Sequence, residues 1–434
     1  MRIGPSSALV LMLSVPIVAW GQPSAQIIPP SSAAPTTRGG TVSEPPLPGL
    51  YDHGPGIMGN SMPNGALPED VARPANATPQ LFWLRTDYLH WFINKEPLAP
   101  VIQSLPDSLA ATRDIPPGSG FPLFPNRNEI DYKGISGIRI NTGVWFGYGN
   151  VLGIDFSGFN LQNKSQSANY ASSGSPIITR FYDDPTTNRQ TFLLFSNIDP
   201  QNSYSGSVSA ALGYSNLYNF DTSIRWQGYR LFADNADWLF GVRYFNFEEK
   251  LDILARANFP SGLRLGVEDH FSAKNTFYGA QVGLNSRFVS TRRLTFDGLL
   301  KFAVGGISQR VDIRGSNTLI RPNGVVDTQA VGLWAQPSNI GSYSKGKFAV
   351  LPEFGLTLGY NITERLGLTF GYSAMYVSNV VRVNTVVNTQ VNPTTIRYLT
   401  DPNTPVTPAP NPTYRFNDTG MWIDGWNFGV RWEF

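Results

Sequence analysis

Chemistry in this chain would have to start from three histidines, His53, His90 and His270. A histidine serves as a general base near neutral pH when a carboxylate or hydroxyl is set beside it. Glu268 and Asp269 immediately precede His270, so a Ser/His or Asp/His arrangement on a barrel wall would be sought there. The competing reading of that stretch is a solvated polar strand end. His90 follows Tyr88 by two residues and reads as an interfacial side chain. No two histidines share a metal-ligand spacing. The chain has no cysteine, which excludes disulfides and Cys-based metal or redox sites. Glu248 and Glu249 are adjacent and point to opposite faces of a strand, so they cannot act as a carboxylate pair. Neither G-x-x-x-x-G-K-[ST] nor G-x-S-x-G occurs. Asp183-Asp184 and the Asn216, Asn219, Asp221 group lack the spacing of a calcium loop. The expectation is therefore a protein that is not an enzyme, with no metal and no cofactor.

A second set of charges is more informative. Arg85, Asp87, Arg139, Asp155, Arg243, Asp297, Lys301, Glu353, Arg431 and Glu433 all lie within segments where apolar or aromatic residues alternate with polar ones. Period 2 puts the two kinds on opposite faces of a strand. In the last segment Trp426, Phe428, Val430, Trp432 and Phe434 share one face, and Asn427, Gly429, Arg431 and Glu433 share the other. Facing lipid, an Arg or Lys costs roughly 2–4 kcal/mol at the bilayer midplane. Facing a narrow lumen, charges of mixed sign can pair. These ten residues are the predicted lumen lining.

Ten such segments are predicted, near 80–93, 136–149, 150–162, 219–233, 236–251, 264–288, 292–306, 346–360, 364–381 and 421–434. Their connections alternate between long and short. The short ones are Gly149-Asn150, Ala233-Asp234-Asn235, Val289-Ser290-Thr291 and Asn361-Ile362-Thr363. The others are about 94–135, 163–218, 252–263, 307–345 and 382–420. Outer-membrane barrels pair short periplasmic turns with longer extracellular loops. A closed sheet leaves no unpaired edge in lipid, where no water can satisfy the backbone. The expected fold is all-β, a closed antiparallel up-and-down transmembrane β-barrel of about ten strands, with twelve also possible. With an even strand number, both barrel ends face the periplasm.

Composition agrees with this. The 434 residues are 41% hydrophobic, 13% aromatic and only 15% charged. No apolar run after the N-terminus is long enough for a transmembrane helix. A net charge of +2 gives no basic field for nucleic acid. Residues 1–21 read as a signal peptide, with Arg2, an apolar run from Ala8 to Trp20, and a small-x-small site ending at Gly21. Residues 22–79 contain 12 prolines and no apolar period, and read as a disordered periplasmic linker. The barrel is expected over 80–434, in a bacterial outer membrane.

Several stretches resemble the beta-barrel porin-7 family. They are Phe240-Gly241-Val242-Arg243-Tyr244-Phe245-Asn246, Asn275-Thr276-Phe277-Tyr278-Gly279-Ala280-Gln281-Val282-Gly283 and Gln336-Pro337-Ser338-Asn339-Ile340-Gly341. Phe348-Ala349-Val350-Leu351-Pro352-Glu353-Phe354 and Tyr376-Val377-Ser378-Asn379-Val380-Val381-Arg382 are similar to it as well. The resemblance implies an outer-membrane barrel and carries over neither a substrate nor catalytic residues.

Size bears on the role. Eight strands make a barrel filled by its own side chains, while 16–18 leave an aqueous channel. Ten strands point to a porin-like barrel with a narrow or plugged lumen. The alternatives are a structural or adhesive surface protein anchored by its barrel and a barrel-embedded enzyme. Expected partners are outer-membrane lipid, small solutes or ions, and the insertion machinery, for which Phe434 supplies an aromatic strand end.

Overall fold

The computed structural model describes residues 82–110, 115–146, 151–227, 235–395 and 411–434. The expected signal peptide, the Pro-rich linker and the turn at Gly149-Asn150 lie outside these residues, as does most of the turn at 233–235. Ten strands form the barrel. They are β1 (Phe82–Ile93), β2 (Ile135–Phe146), β3 (Leu152–Leu161), β4 (Ser205–Gln227) and β5 (Asn235–Asn258). The remaining five are β6 (Arg264–Ser290), β7 (Leu294–Ile320), β8 (Gly341–Asn361), β9 (Leu366–Val380) and β10 (Thr419–Glu433). Each pairs antiparallel with the next, and β10 pairs with β1 from Trp83↔Glu433 to Ile93↔Ile423, which closes the sheet. Two further strands, Lys164–Ser172 and Val326–Gln329, pair with β4 and β7 without joining the barrel ring.

Alternation decides what faces lipid. On β6 the outward residues run Tyr278, Ala280, Val282, Leu284, Ser286, Phe288. On β10 they run from Trp422 to Trp432. Each set covers about the 9–11 residues that cross a bilayer as a tilted strand. Tyr244, Tyr278, Phe348 and Trp422 mark one edge of this band, and Phe146, Phe288, Tyr360 and Trp432 mark the other. Among the described outward residues of the band, Asp424 alone carries a charge. It lies near the rim and accepts the Tyr372 hydroxyl at 2.5 Å.

Strands β4 to β7 are much longer than the band. β6 and β7 run 27 residues each, so a curved sheet projects from the loop end. The segment predicted to begin at 219 starts at Ser205. The connection expected at 252–263 shrinks to the hairpin after Asn258. The cause is a bulge: Asn216 adopts φ 57° and the β4–β5 register shifts between Ser215 and Tyr218. Asn tolerates that left-handed geometry. The extra residue switches the inward positions from Leu212 and Tyr214 to Leu217, Asn219 and Asp221, breaking the period that betrays a strand.

Candidate functional site

The lumen is built from the inward positions of all ten strands. At the level of the lipid band these positions carry Arg85, Arg139, Arg225, Arg243, Arg287, Lys301 and Arg431. Against them stand Asp87, Asp155, Asp221, Asp237, Asp297, Glu353 and Glu433. Among the described residues, seven cations thus face seven carboxylates at this level, and each is ion-paired. Asp87 takes Arg85 at 2.9 Å and Arg139 at 3.1 Å. Asp221 takes Lys301 at 2.6 Å and Arg243 at 3.3 Å, and Gln281 donates to it at 2.9 Å. Glu353 pairs with Arg243 from the far wall. Nearer the turn end, Arg225 bridges Asp155 and Asp237 at 2.5 and 2.8 Å while lying against the Trp83 ring. Asp297 takes Arg287 at 2.7 Å and Arg431 at 3.6 Å, and Arg431 also pairs with Glu433 at 3.2 Å. All ten residues predicted to line the lumen therefore take part in ion pairs, which fall into four groups. Sequence reasoning missed Asp221, Arg225, Asp237 and Arg287. The triplet Asp221, Ser223, Arg225 carries the same period-2 signal, hidden by the bulge just before it.

Toward the loop end the inward face changes character. Leu89, Trp91, Phe159, Phe245, Phe277 and Leu351 are buried, and Met375, Val377, Met421 and Ile423 join them in one apolar cluster. Trp91 stacks edge-on against Phe159 at 4.8 Å and donates its indole N–H to Asn427 at 2.8 Å. Opposite it on β10, Gly425 has φ +157°, and a Cβ there would strike the His90 carbonyl and Trp91. A glycine is therefore what admits the indole.

Above this layer, connecting segments fold into the mouth of the projecting sheet. Ile102–Leu105, Phe121–Phe124, Ile177–Asp184 and Arg189–Leu194 form a small four-stranded sheet. Two buried carboxylates on the barrel wall hold the plug. Glu249 accepts from Arg382 Nη2, the Tyr132 hydroxyl and the Val383 amide, each at 2.8 Å. Burial disfavours the charged form of Arg382, but Glu249 outweighs it and raises the guanidinium pKa. Burial, with Glu249 beside it, pushes the Tyr132 hydroxyl well above its ordinary range. Asp269 takes Arg180 at 2.7 Å and the amides of Trp334 and Ala335 at 3.1 and 2.8 Å. The Arg180 guanidinium lies 4.7 Å from the Trp334 ring.

The two described histidines are elsewhere, and His53 lies outside the described residues. His90 faces outward on β1. His270 also faces outward, on the projecting part of β6, while Asp269 turns inward. The partner of His270 is Asp252, at 2.5 Å from Nδ1, and Arg314 approaches Nε2 at 3.4 Å. Glu268 takes the Ser316 hydroxyl instead. No cluster of metal-ligating side chains occurs among the described residues.

A closed, lipid-banded antiparallel barrel with a charge-paired interior defines an outer-membrane β-barrel protein. The chain belongs to the beta barrel porin-7 (BBP7) family, whose match covers residues 83–434. No curated protein matches it. Among solved structures it is similar to the outer membrane protease OmpT of Escherichia coli, at 9% identity and a TM-score of 0.36. That match covers 82% of this chain and 98% of that one. It is also similar to the anion-selective porin from Comamonas acidovorans, at 8% identity and a TM-score of 0.14, covering 81% and 98%. At such scores neither likeness bears on activity.

Proposed function

We propose that this protein is a solute-tight anchor in the bacterial outer membrane whose work is done by the sheet and loops projecting from it. Its short turns and both barrel ends face the periplasm, and its long strands stand in the external medium. The observation carrying this reading is the double closure of the lumen. Among the described residues of the lumen, seven cations and seven carboxylates are all ion-paired and leave no excess charge to select an ion, and the apolar layer around Trp91 and Phe277 removes the water an ion would need. A selective pore would instead present unpaired charge of one sign. The apolar core also continues from the barrel into the projecting sheet, where Glu249 and Asp269 hold the plug, and a barrel serving only as a conduit would not require that extension. Catalysis has no part in this reading: His270 looks onto a guanidinium rather than a nucleophile. The lipid band contacts membrane lipid, and the aromatic strand β10 is the segment offered to the insertion machinery.

Planar-bilayer recording tests this. Purified protein is expected to give no conductance steps above background in concentrated salt. Reproducible unitary steps would overturn the anchor reading in favour of a porin.

A further inference from the structure

The outward face of the projecting sheet contains a groove of about 540 Å³ that runs across the strands. Strand register explains its composition. One cross-strand row sets Ser167, Ala211, Asp252, His270 and Arg314 side by side. The adjacent row sets Asn169, Ser209, Leu254, Glu268 and Ser316 side by side. His270 stands eight residues from Tyr278 along β6, about 27 Å along the strand at its usual rise, so the groove lies clear of the lipid band.

We propose that this groove binds a neutral, hydroxyl-rich glycan chain laid across the strands. The charges decide the ligand class. Asp252 and Glu268 stand beside Arg314 in the same two rows, so the groove presents both signs and no strong field of one sign to hold a polyanion or a polycation. Leu254, half-buried, is the one large apolar side chain in the two rows, which leaves little for a greasy ligand. What remains is a set of short hydroxyl and amide groups and planar charged ones, offering donors and acceptors together, as sugar hydroxyls require.

The polar groups are also held in place. Asp252 fixes His270 at 2.5 Å, Arg314 meets the other ring nitrogen at 3.4 Å, and Ser316 donates to Glu268 at 3.2 Å. Arg314 is exposed and has five N–H donors, of which His270 engages one. Ala211 keeps the floor low. Neighbouring strands lie about 4.8 Å apart, close to the length of one pyranose unit, so successive sugars meet successive strands. The proposal rests on the anchor reading only for which side of the membrane the groove faces.

The test is direct titration of the full-length, detergent-solubilised protein with cello-, chito- and maltohexaose. A sulfated oligosaccharide and a polyamine serve as charged comparators. Saturable binding of at least one neutral hexaose is expected, weakened about tenfold or more by Arg314→Ala and by Ser209→Tyr, which fills the groove. Both variants should keep the heat-modifiable gel mobility of a closed barrel. The proposal is overturned if no neutral hexaose binds, if only the charged comparators bind, or if both variants bind like the parent. None of these outcomes alters the conductance result, so the glycan proposal and the anchor reading fail separately.

Discussion

Asp221 offers the sharpest test of a dry, charge-paired lumen. It is fully buried on β4 and accepts from Lys301 at 2.6 Å, Gln281 at 2.9 Å and Arg243 at 3.3 Å. Asp221→Ala leaves Arg243 with Glu353 but takes from Lys301 the only carboxylate it pairs with among the described residues. Stripping a buried charge of its partner costs about 3–5 kcal/mol, or roughly a thousandfold in the folded-to-unfolded ratio. Lys301→Met should cost less, because Arg243 and Gln281 still hold Asp221. The double variant removes both charges together, so its loss should fall short of the sum of the single losses by about 1.5–3 kcal/mol. Urea unfolding from lipid vesicles, followed by tryptophan fluorescence, gives all three values. A loss under about 1 kcal/mol for Asp221→Ala, or strict additivity, would refute the reasoning. The lumen would then be wet enough to solvate each charge separately, and the anchor reading would weaken with it.

Two further predictions concern the plug. Glu249→Gln keeps the shape of the side chain but removes the charge opposite Arg382, whose next carboxylate, Glu96, is 3.8 Å away. Trypsin should then cut at Arg382, and an unchanged fragment pattern by mass spectrometry would contradict the assigned anchor. The Lys347–Asp418 clasp at the entry to β10 gives a pH dependence. Burial raises the Asp418 carboxyl pKa, but the hydrogen bonds from Lys347 and Gln309 and the Lys347 charge together outweigh this and hold it below the ordinary 3.8. A depressed carboxylate contributes stability above its unfolded pKa and loses it as pH falls through the folded value. Hydrogen-exchange protection around Thr419 should thus be steady above about pH 5 and fall below about pH 4. A Lys347→Met variant should show a much shallower fall, and equal pH profiles for the two proteins would refute the clasp.

The barrel could be read from the sequence because lipid imposes the simplest possible rule, alternation, on every residue within the band. Arg431 and Glu433 could be assigned inward from their aromatic neighbours alone. The rule fails where its cause stops acting. Beyond the band, water faces the outer side of β4, so Ser205, Ser207, Ser209, Ala211 and Gly213 stand opposite inward Val208, Leu212 and Tyr214, and the outward aromatic residues that mark the band are missing. At Asn216 one added residue reverses the phase and conceals Asp221. The plug was illegible for a different reason. Arg180, Trp334 and Arg382 come from separate connections, and only the folded chain brings Asp269 and Glu249 to them. The partner of His270 shows the same limit: Asp252, eighteen residues earlier, lies opposite it solely because β5 and β6 pair in that register.

The ion pairs that reach over the lumen also bear on how the barrel comes into being. Glu353 on β8 meets Arg243 on β5, Lys301 on β7 meets Asp221 on β4, and Arg431 on β10 meets Asp297 on β7. None of these strand pairs is adjacent in the sheet. While the sheet is still an open, growing ribbon, hairpin by hairpin, Arg243 can already meet Asp221 and Arg287 can meet Asp297, but the contacts across the lumen made by Glu353 and Lys301 are unformed and these two charges must keep their hydration. Only curling, and the final meeting of β1 with β10, lets them exchange water for their partners across the lumen. Late closure therefore converts a hydrated intermediate, still reversible, into a barrel that cannot reopen at its seam without re-exposing charge inside a membrane.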